Sequence, residues 1–247
     1  MSSTTGAERH SRLVGRTALV TGASRGIGLE ISRLLVEEGA RVAILARDER
    51  TLGDVATTLG AQATPVVCDV SRPELVNGVV SHVSVLFGGA PDILVNNAGA
   101  FELATLDTVD PSSFDDVIDT NLTAPLRLVR AYLPGMRARG SGHVITIGSV
   151  ADRTVFPENA AYAASKHGLR ALHEVLRLET RGSGVRATLV SPGPVDTALW
   201  DTVDPEARQG FTPRSLMLAP RAVAEGVIYA LTQPGDVNVD ELRLSRS

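Results

Sequence analysis

The sequence predicts an α/β fold, a doubly wound parallel sheet in a single domain. Three observations carry this. Short apolar runs alternate with amphipathic stretches along nearly the whole chain, the pattern of strands covered on both faces by helices. A glycine-rich turn, Thr21-Gly22-Ala23-Ser24-Arg25-Gly26-Ile27-Gly28, joins the first apolar run to the first helical stretch. No repeat, low-complexity tract or linker divides the 247 residues.

The elements follow in order. Thr17 to Val20 is a short apolar run of the kind that forms a buried strand. From Ile27 to Glu38, Ile31, Leu34 and Leu35 recur at helical spacing, and Gly39 ends that helix. Val42 to Leu45 is the second strand, and Asp48 is placed to N-cap the next helix. Pro65 to Val67 is expected as strand, Pro73 to Phe87 as helix and Asp92 to Val95 as strand. One long helix is expected from about Ser112 to Arg139, then a strand at His143 to Ile147. Ala160 to Arg181 reads as helix, Val185 to Val190 as strand, Pro220 to Thr232 as helix and Val237 to Leu244 as a last strand.

Composition narrows the classes of function. With 43% hydrophobic and 21% charged residues the chain has the balance of an ordinary globular protein. A net charge of −4 without basic runs argues against nucleic acid as a partner. The single cysteine, Cys68, cannot form an internal disulfide and suits a reducing, cytoplasmic setting. No apolar run approaches the roughly 18 residues of a membrane span. Residues 1–12 lack the apolar core of a secretory signal and are expected to form a disordered tail before the domain at 13–247.

The glycine turn is where chemistry first enters. Glycines at a strand–helix junction let the backbone approach a pyrophosphate, and the helix N-terminus offers free N–H groups to that anion. The spacing here is G-x-x-x-G-x-G rather than the usual dinucleotide fingerprint G-x-G-x-x-G. Further along, Tyr162 and Lys166 stand four apart in AAYAASK, on one face of a helix. That spacing permits a catalytic pair without establishing one.

Taken in order, these motifs resemble the short-chain dehydrogenase/reductase family. They are TGASRGIG, Asp69-Val70, Asn96-Asn97-Ala98-Gly99, Asn121, Ser149, Tyr162 with Lys166, and Pro192-Gly193-Pro194-Val195-Asp196-Thr197. The resemblance runs from about Arg16 to the C-terminus and implies a Rossmann fold and a nicotinamide cofactor. It implies that Gly22, Ser24, Arg25, Gly26, Ile27 and Gly28 hold the cofactor phosphates. Asp69 and Val70 would meet the adenine, and Asn96, Ala98 and Gly99 would line the adenosine side. Val195 and Thr197 would contact the carboxamide. Tyr162 would be the proton donor or acceptor, Lys166 would bind the nicotinamide ribose, Ser149 would hold the substrate oxygen, and Asn121 would hold a water that connects Lys166 to solvent.

Physical chemistry gives the same pair a reason. A phenol with a pKa of about 10 is a poor base near neutrality, and an ammonium one turn away is expected to lower it. The end of the second strand carries Ala46 and Arg47 where an NAD site usually has a carboxylate. Arg47 and Arg25 suit a 2′-phosphate, so NADP is expected over NAD.

The substrate is expected to be a small carbonyl or alcohol. A substrate loop at 198–219 would contribute Leu199, Trp200, Phe211, Leu216 and Met217, and Phe101, Leu103 and Phe156 would come from other loops. Arg153, Arg208 and Arg214 are candidates to pair an acidic group on the substrate. A 3-oxoacyl-thioester reductase is the alternative, although the chain lacks the C-terminal Gly-Gly usual in such members. A non-catalytic NADP sensor on this fold typically loses the Tyr or Lys that this chain keeps. The family resemblance also implies a homodimer or homotetramer, formed through the long helices and the last strand.

Overall fold

A computed structural model describes residues 11–247. Seven strands form one sheet in the order β3-β2-β1-β4-β5-β6-β7, and every pairing is parallel. They are β1 (Thr17–Thr21), β2 (Arg41–Ala46), β3 (Ala63–Val67), β4 (Ile93–Asn96), β5 (Gly142–Ile147), β6 (Val185–Pro192) and β7 (Glu241–Leu244). The helices are α1 (Gly26–Glu37), α2 (Glu49–Leu59), α3 (Pro73–Phe87), α4 (Pro111–Ile118), α5 (Ala124–Arg139), α6 (Ala160–Glu179) and α7 (Pro220–Leu231). The expected doubly wound single domain is therefore the observed one.

Strand alternation divides the core. Ala18 and Val20 point to one face, packing with Ile31 and Leu35 of α1 and Val223 and Val227 of α7. Leu19, between them, points to the other, with Val83 of α3 and Leu128, Tyr132 and Met136 of α5. Each fully buried Leu, such as Leu19 or Leu94, contributes about 1.5–3 kcal/mol by leaving water.

The chain winds outward from β1 to β3 and then crosses to β4 on the other side of β1. This reversal opens a crevice beyond the carboxyl ends of β1 and β4, where such sheets bind ligands. The glycine turn after β1 and the Asn96–Gly99 segment after β4 both lie there.

Some expected boundaries move. The strand expected at 65–67 begins at Ala63. Pro65 is tolerated within it because β3 is an edge strand and pairs only with β2. The last strand is confined to Glu241–Leu244. The long helix expected over 112–139 is interrupted by a π-helical turn at Asp119–Thr123, between α4 and α5. Such single turns insert a residue into the helical ladder and often mark functional sites. This one contains Asn121. The expected tail lies outside the described residues except for Ser11 and Arg12. Arg12 is tied to the domain, its Nε donating to Glu38 at 3.0 Å and its guanidinium reaching Thr232 Oγ1 at 3.2 Å.

Candidate active site

The glycine turn is held from two sides. Gly22 and Gly26 adopt φ of 65° and 58°, the left-handed region that favours glycine. A Cβ on Gly28 would fall 2.2 Å from the Gly22 carbonyl oxygen and 2.4 Å from Asn97 Nδ2, so only glycine fits. Asn97 itself was not among the expected cofactor residues. Its Nδ2 donates to the Thr21 carbonyl at 2.8 Å and the Gly22 carbonyl at 3.2 Å. Thr21 Oγ1 accepts from the Asn97 and Ala98 amides at 2.9 and 3.0 Å. The Asn-Asn pair in the motif was the available signal.

The N-terminus of α1 has no side-chain cap; Arg25 precedes it in extended conformation. Arg25, Gly26, Asp196, Thr197 and Ala198 line a cavity of about 370 Å³ at this helix end. The methyl of Thr197 would lie 3.1 Å from a Cβ on Gly26, so the segment after β6 closes over the turn. Open amide donors at a helix start, with close backbone access, fit a bound pyrophosphate.

The specificity region has the expected charges. β2 ends at buried Ala46 with no carboxylate. Asp48 caps α2 instead, accepting from the Thr51 amide at 2.7 Å. Arg47 is three-quarters exposed, and its guanidinium stands 4.0 Å from Asp69 Oδ2. The other carboxylate oxygen of Asp69 accepts from Ser71 N and Oγ at 3.0 and 2.7 Å, forming a turn after β3. Val70 is buried beside it. Asn96 is 4% exposed, and neither of its amide atoms has a hydrogen-bond partner. A buried orphan amide lies at the crevice and fits a polar ligand group.

Across the crevice, α6 carries Tyr162 and Lys166. The Lys166 Nζ sits 5.5 Å from the centroid of the Tyr162 ring and donates to the Ile147 carbonyl at 3.0 Å. Lys166 is the only lysine in the chain; every other basic residue among the 24 Lys and Arg is an arginine. Burial lowers its ammonium to about 8, against an opposing pull from Asp152.

The expectation that Lys166 brings the Tyr162 phenol down is not what the site shows. Burial raises the phenol above its ordinary value, the Ser149 hydroxyl works against that rise, and the charge of Asp152 adds to it. The physical reason is that Lys166 donates to a backbone carbonyl while the phenol is desolvated.

Ser149 follows β5 in extended conformation, and its Oγ accepts from the Ala151 amide at 3.1 Å. The side chain of Asn121 is fully buried, as is Ser165. Asn121 exchanges hydrogen bonds with the Ala100 backbone at 2.8 and 2.9 Å and donates to Ser165 Oγ at 3.0 Å. Ser165 in turn donates to the Tyr162 carbonyl at 2.8 Å. Asn121 thus fixes the segment after Gly99 to the helix turn that carries the pair, with both amide donors spent. Ser165 was not anticipated; nothing local distinguishes it from the alanines around it.

An aromatic cluster adjoins Tyr162. Phe101 meets Tyr162 edge-on at 5.0 Å, Trp200 meets Phe101 at 5.4 Å, and Phe211 meets Trp200 at 6.2 Å. The Trp200 indole donates to the Val195 carbonyl at 3.0 Å, and Val195 bridges Leu218. The three arginines considered for an acidic substrate are already engaged. Arg153 pairs with Asp152 and Glu241, Arg208 with Glu158, and Arg214 with Asp196 and Asp201. A second cleft of about 410 Å³ is lined by Phe156, Ala160, Ala163, Ala164 and His167. Those α6 positions lie on a different face from Tyr162 and Lys166, so this cleft is not the mouth of the pair. Among the described residues no group of three His, Cys, Asp or Glu is placed to hold a metal, and no helix is long and apolar enough to cross a membrane.

Sheet topology and the crevice at its carboxyl edge define the class first, a Rossmann-fold domain. Within that class the chain belongs to the short chain dehydrogenase family, whose sequence profile matches residues 16–208. An uncharacterized oxidoreductase of Staphylococcus aureus (strain MRSA252) is 37% identical over 231 residues, covering 93% of this chain and 96% of that protein. Among solved structures, a metagenomic short-chain oxidoreductase in complex with NADP is similar with a TM-score of 0.83 at 34% identity, covering 96% of this chain and 99% of that one. Serine dehydrogenase from Escherichia coli is similar with a TM-score of 0.80 at 29% identity, covering 92% and 96%.

Proposed function

We propose that this chain is an NADP(H)-dependent oxidoreductase that interconverts a carbonyl and a secondary alcohol, with Tyr162 moving the proton. The observation that carries the reading is the Tyr162–Lys166 pair, 5.5 Å from ammonium to ring centroid, set beside Ser149 at the sheet's carboxyl edge. The dinucleotide, when bound, gives or takes the hydride at its nicotinamide. Gly22, Ser24, Arg25, Gly26, Ile27 and Gly28 would hold its phosphates. Arg47 would meet the 2′-phosphate, Asp69, Val70, Asn96, Ala98 and Gly99 the adenosine, and Val195, Thr197 and Lys166 the nicotinamide riboside. The absence of a carboxylate at Ala46 supports NADP over NAD, as does the NADP bound to the metagenomic relative.

During reduction the Tyr162 phenol gives its proton to the carbonyl oxygen as negative charge develops there, while the Ser149 hydroxyl donates a hydrogen bond to the same oxygen. During oxidation the phenolate takes the alcohol proton, and Lys166, anchored on the Ile147 carbonyl, would hold the cofactor ribose. Asn121 acts by position, through Ala100 and Ser165.

The aromatic cluster and the paired arginines favour a neutral, apolar carbonyl over an acidic one or an acyl-carrier thioester. The exposed Leu126 of α5 and Val175 and Leu178 of α6 support self-association through the long helices. NADPH oxidation measured against aryl ketones, short 3-oxo acids and a 3-oxoacyl thioester tests the reading. Turnover is expected first with the aryl ketones, and absence of turnover with every carbonyl would contradict it.

A further inference from the structure

Three residues after Ser149 the chain buries a carboxylate. Asp152 is 1% exposed at the end of a 3-10 turn, Val150–Asp152. Its Oδ1 accepts from Arg153 Nε at 2.7 Å, and its Oδ2 accepts a short bond from Ser191 Oγ on β6. A Cβ on Gly148 would meet Asp152 Oδ2 at 2.9 Å and Ser191 Oγ at 2.7 Å, so the carboxylate is seated directly on the backbone after β5. The preceding residue, Ile147, is the one whose carbonyl receives the Lys166 ammonium. Arg153 also pairs with Glu241 of β7 at 2.6 Å, so one guanidinium is shared by two carboxylates and the cluster keeps a net negative charge.

A buried charge is costly unless its surroundings use it. We propose that Asp152 is a positioning residue for the Tyr162–Lys166 pair, a built-in counter-charge, held by Ser191 and Arg153, that keeps Lys166 protonated and Tyr162 in its phenol form between turnovers. This rests on the proposed role of that pair. Asp152 is bonded by Arg153 from its own turn and Ser191 from β6, with Glu241 of β7 reached through Arg153, and its turn packs against α6, where its charge reaches Tyr162 and Lys166. Its charge acts on both members in the same direction, raising the phenol and the ammonium together. A low-dielectric site leaves such a charge weakly screened.

Because Lys166 is the only lysine, the ligand-free protein labelled with ¹³C-lysine reports its titration as a single NMR signal. In the wild type the midpoint is expected near 8. Asp152→Asn is expected to move it down by at least about 0.5 pH unit. Arg153→Met, which strips the carboxylate of its cation, is expected to move it up. The pH profile of alcohol oxidation, wherever a turned-over alcohol is in hand, is expected to shift in the same directions. Opposite shifts from adjacent substitutions are not a consequence of mere loosening. An unmoved midpoint in both variants, with only thermal stability lost, overturns the proposal and leaves Asp152 a structural residue. If Asp152→Asn does not fold, the upward shift in Arg153→Met carries the test, and its absence is the contrary result. Tyr162→Phe separates this from the reading beneath it. Retained turnover there defeats the role of Tyr162, whereas the lysine titration judges Asp152 whichever way that falls.

Discussion

The Lys166 ammonium lies 5.5 Å from the Tyr162 ring centroid yet donates its hydrogen bond to the Ile147 carbonyl, 3.0 Å away. The pair therefore shares one face of α6 without a direct bond between its functional atoms. The cation is fixed to the sheet, and the phenol is left to the Ser149 hydroxyl.

In the proposed function cofactor choice rests on Arg47, which is exposed and loosely paired with Asp69 at 4.0 Å. Arg47→Asp places a carboxylate where a 2′-phosphate would bind, adding repulsion and removing a charge-assisted bond. Preference for NADPH over NADH, read as the ratio of kcat/KM values, is expected to fall by at least about tenfold, which is about 1.4 kcal/mol. An unchanged ratio would assign specificity elsewhere.

The glycine turn has no room at its third glycine. Gly28→Ala forces a Cβ toward the Gly22 carbonyl and the Asn97 amide that holds it. A loss of about 1–3 kcal/mol in stability is expected from such overpacking, with a weaker dinucleotide Kd, measured by denaturation and by fluorescence titration. Gly53→Ala, on exposed α2 with open space around it, serves as the control and is expected to be benign.

Trp200 is held by the Val195 carbonyl and stacks edge-on with Phe101. Trp200→Ala is expected to raise KM for an aryl ketone several-fold while leaving the Kd of NADPH within about twofold. An equal effect on both constants would make Trp200 a general support of the loop.

Two buried histidines set a response to acid. His143 bonds Thr188 at 2.8 Å and His173 bonds Thr146 at 2.9 Å. Burial, then Arg186 and His173, holds His143 down to about 3, and burial with Arg177 holds His173 down to about 4. The unfolded chain takes up these protons near 6.5, so below that pH the unfolded state binds more protons than the folded one. Stability is thus expected to be intact above about 6.5 and to fall as pH drops toward 4 and then 3, by about 2 kcal/mol per histidine between pH 7 and 5. Thermal melts across this range check it. His143→Gln, which keeps a partner for Thr188, is expected to flatten the slope.

The sheet was legible because strands such as Val42–Leu45 are buried on both faces and read as uninterrupted apolar runs. The π-helical turn was not, because Asp119–Thr123 continues the amphipathic pattern of its flanking helices and only the hydrogen-bond ladder differs. Tyr162, Lys166 and the glycine turn were legible as members of an ordered set of motifs, since the spacing of each alone is ambiguous. Asn97, Ser165 and Asp152 were not, since their roles arise from partners distant in the chain: Asn97 with Thr21, Ser165 with Asn121, Asp152 with Ser191. The upward push on the Tyr162 phenol was hidden for the same reason, because burial and the charge of Asp152 are properties of the folded site.

The proposed reaction turns on Tyr162 moving the proton at this site. The most direct measurement is turnover of Tyr162→Phe on a carbonyl that the wild type reduces, taken beside its Kd for NADPH. Loss of the phenol O–H removes the acid while keeping the ring and its edge contact with Phe101. A fall in kcat of at least about 10²-fold is expected, with the Kd within about threefold of wild type. A kcat close to wild type at unchanged affinity would contradict it.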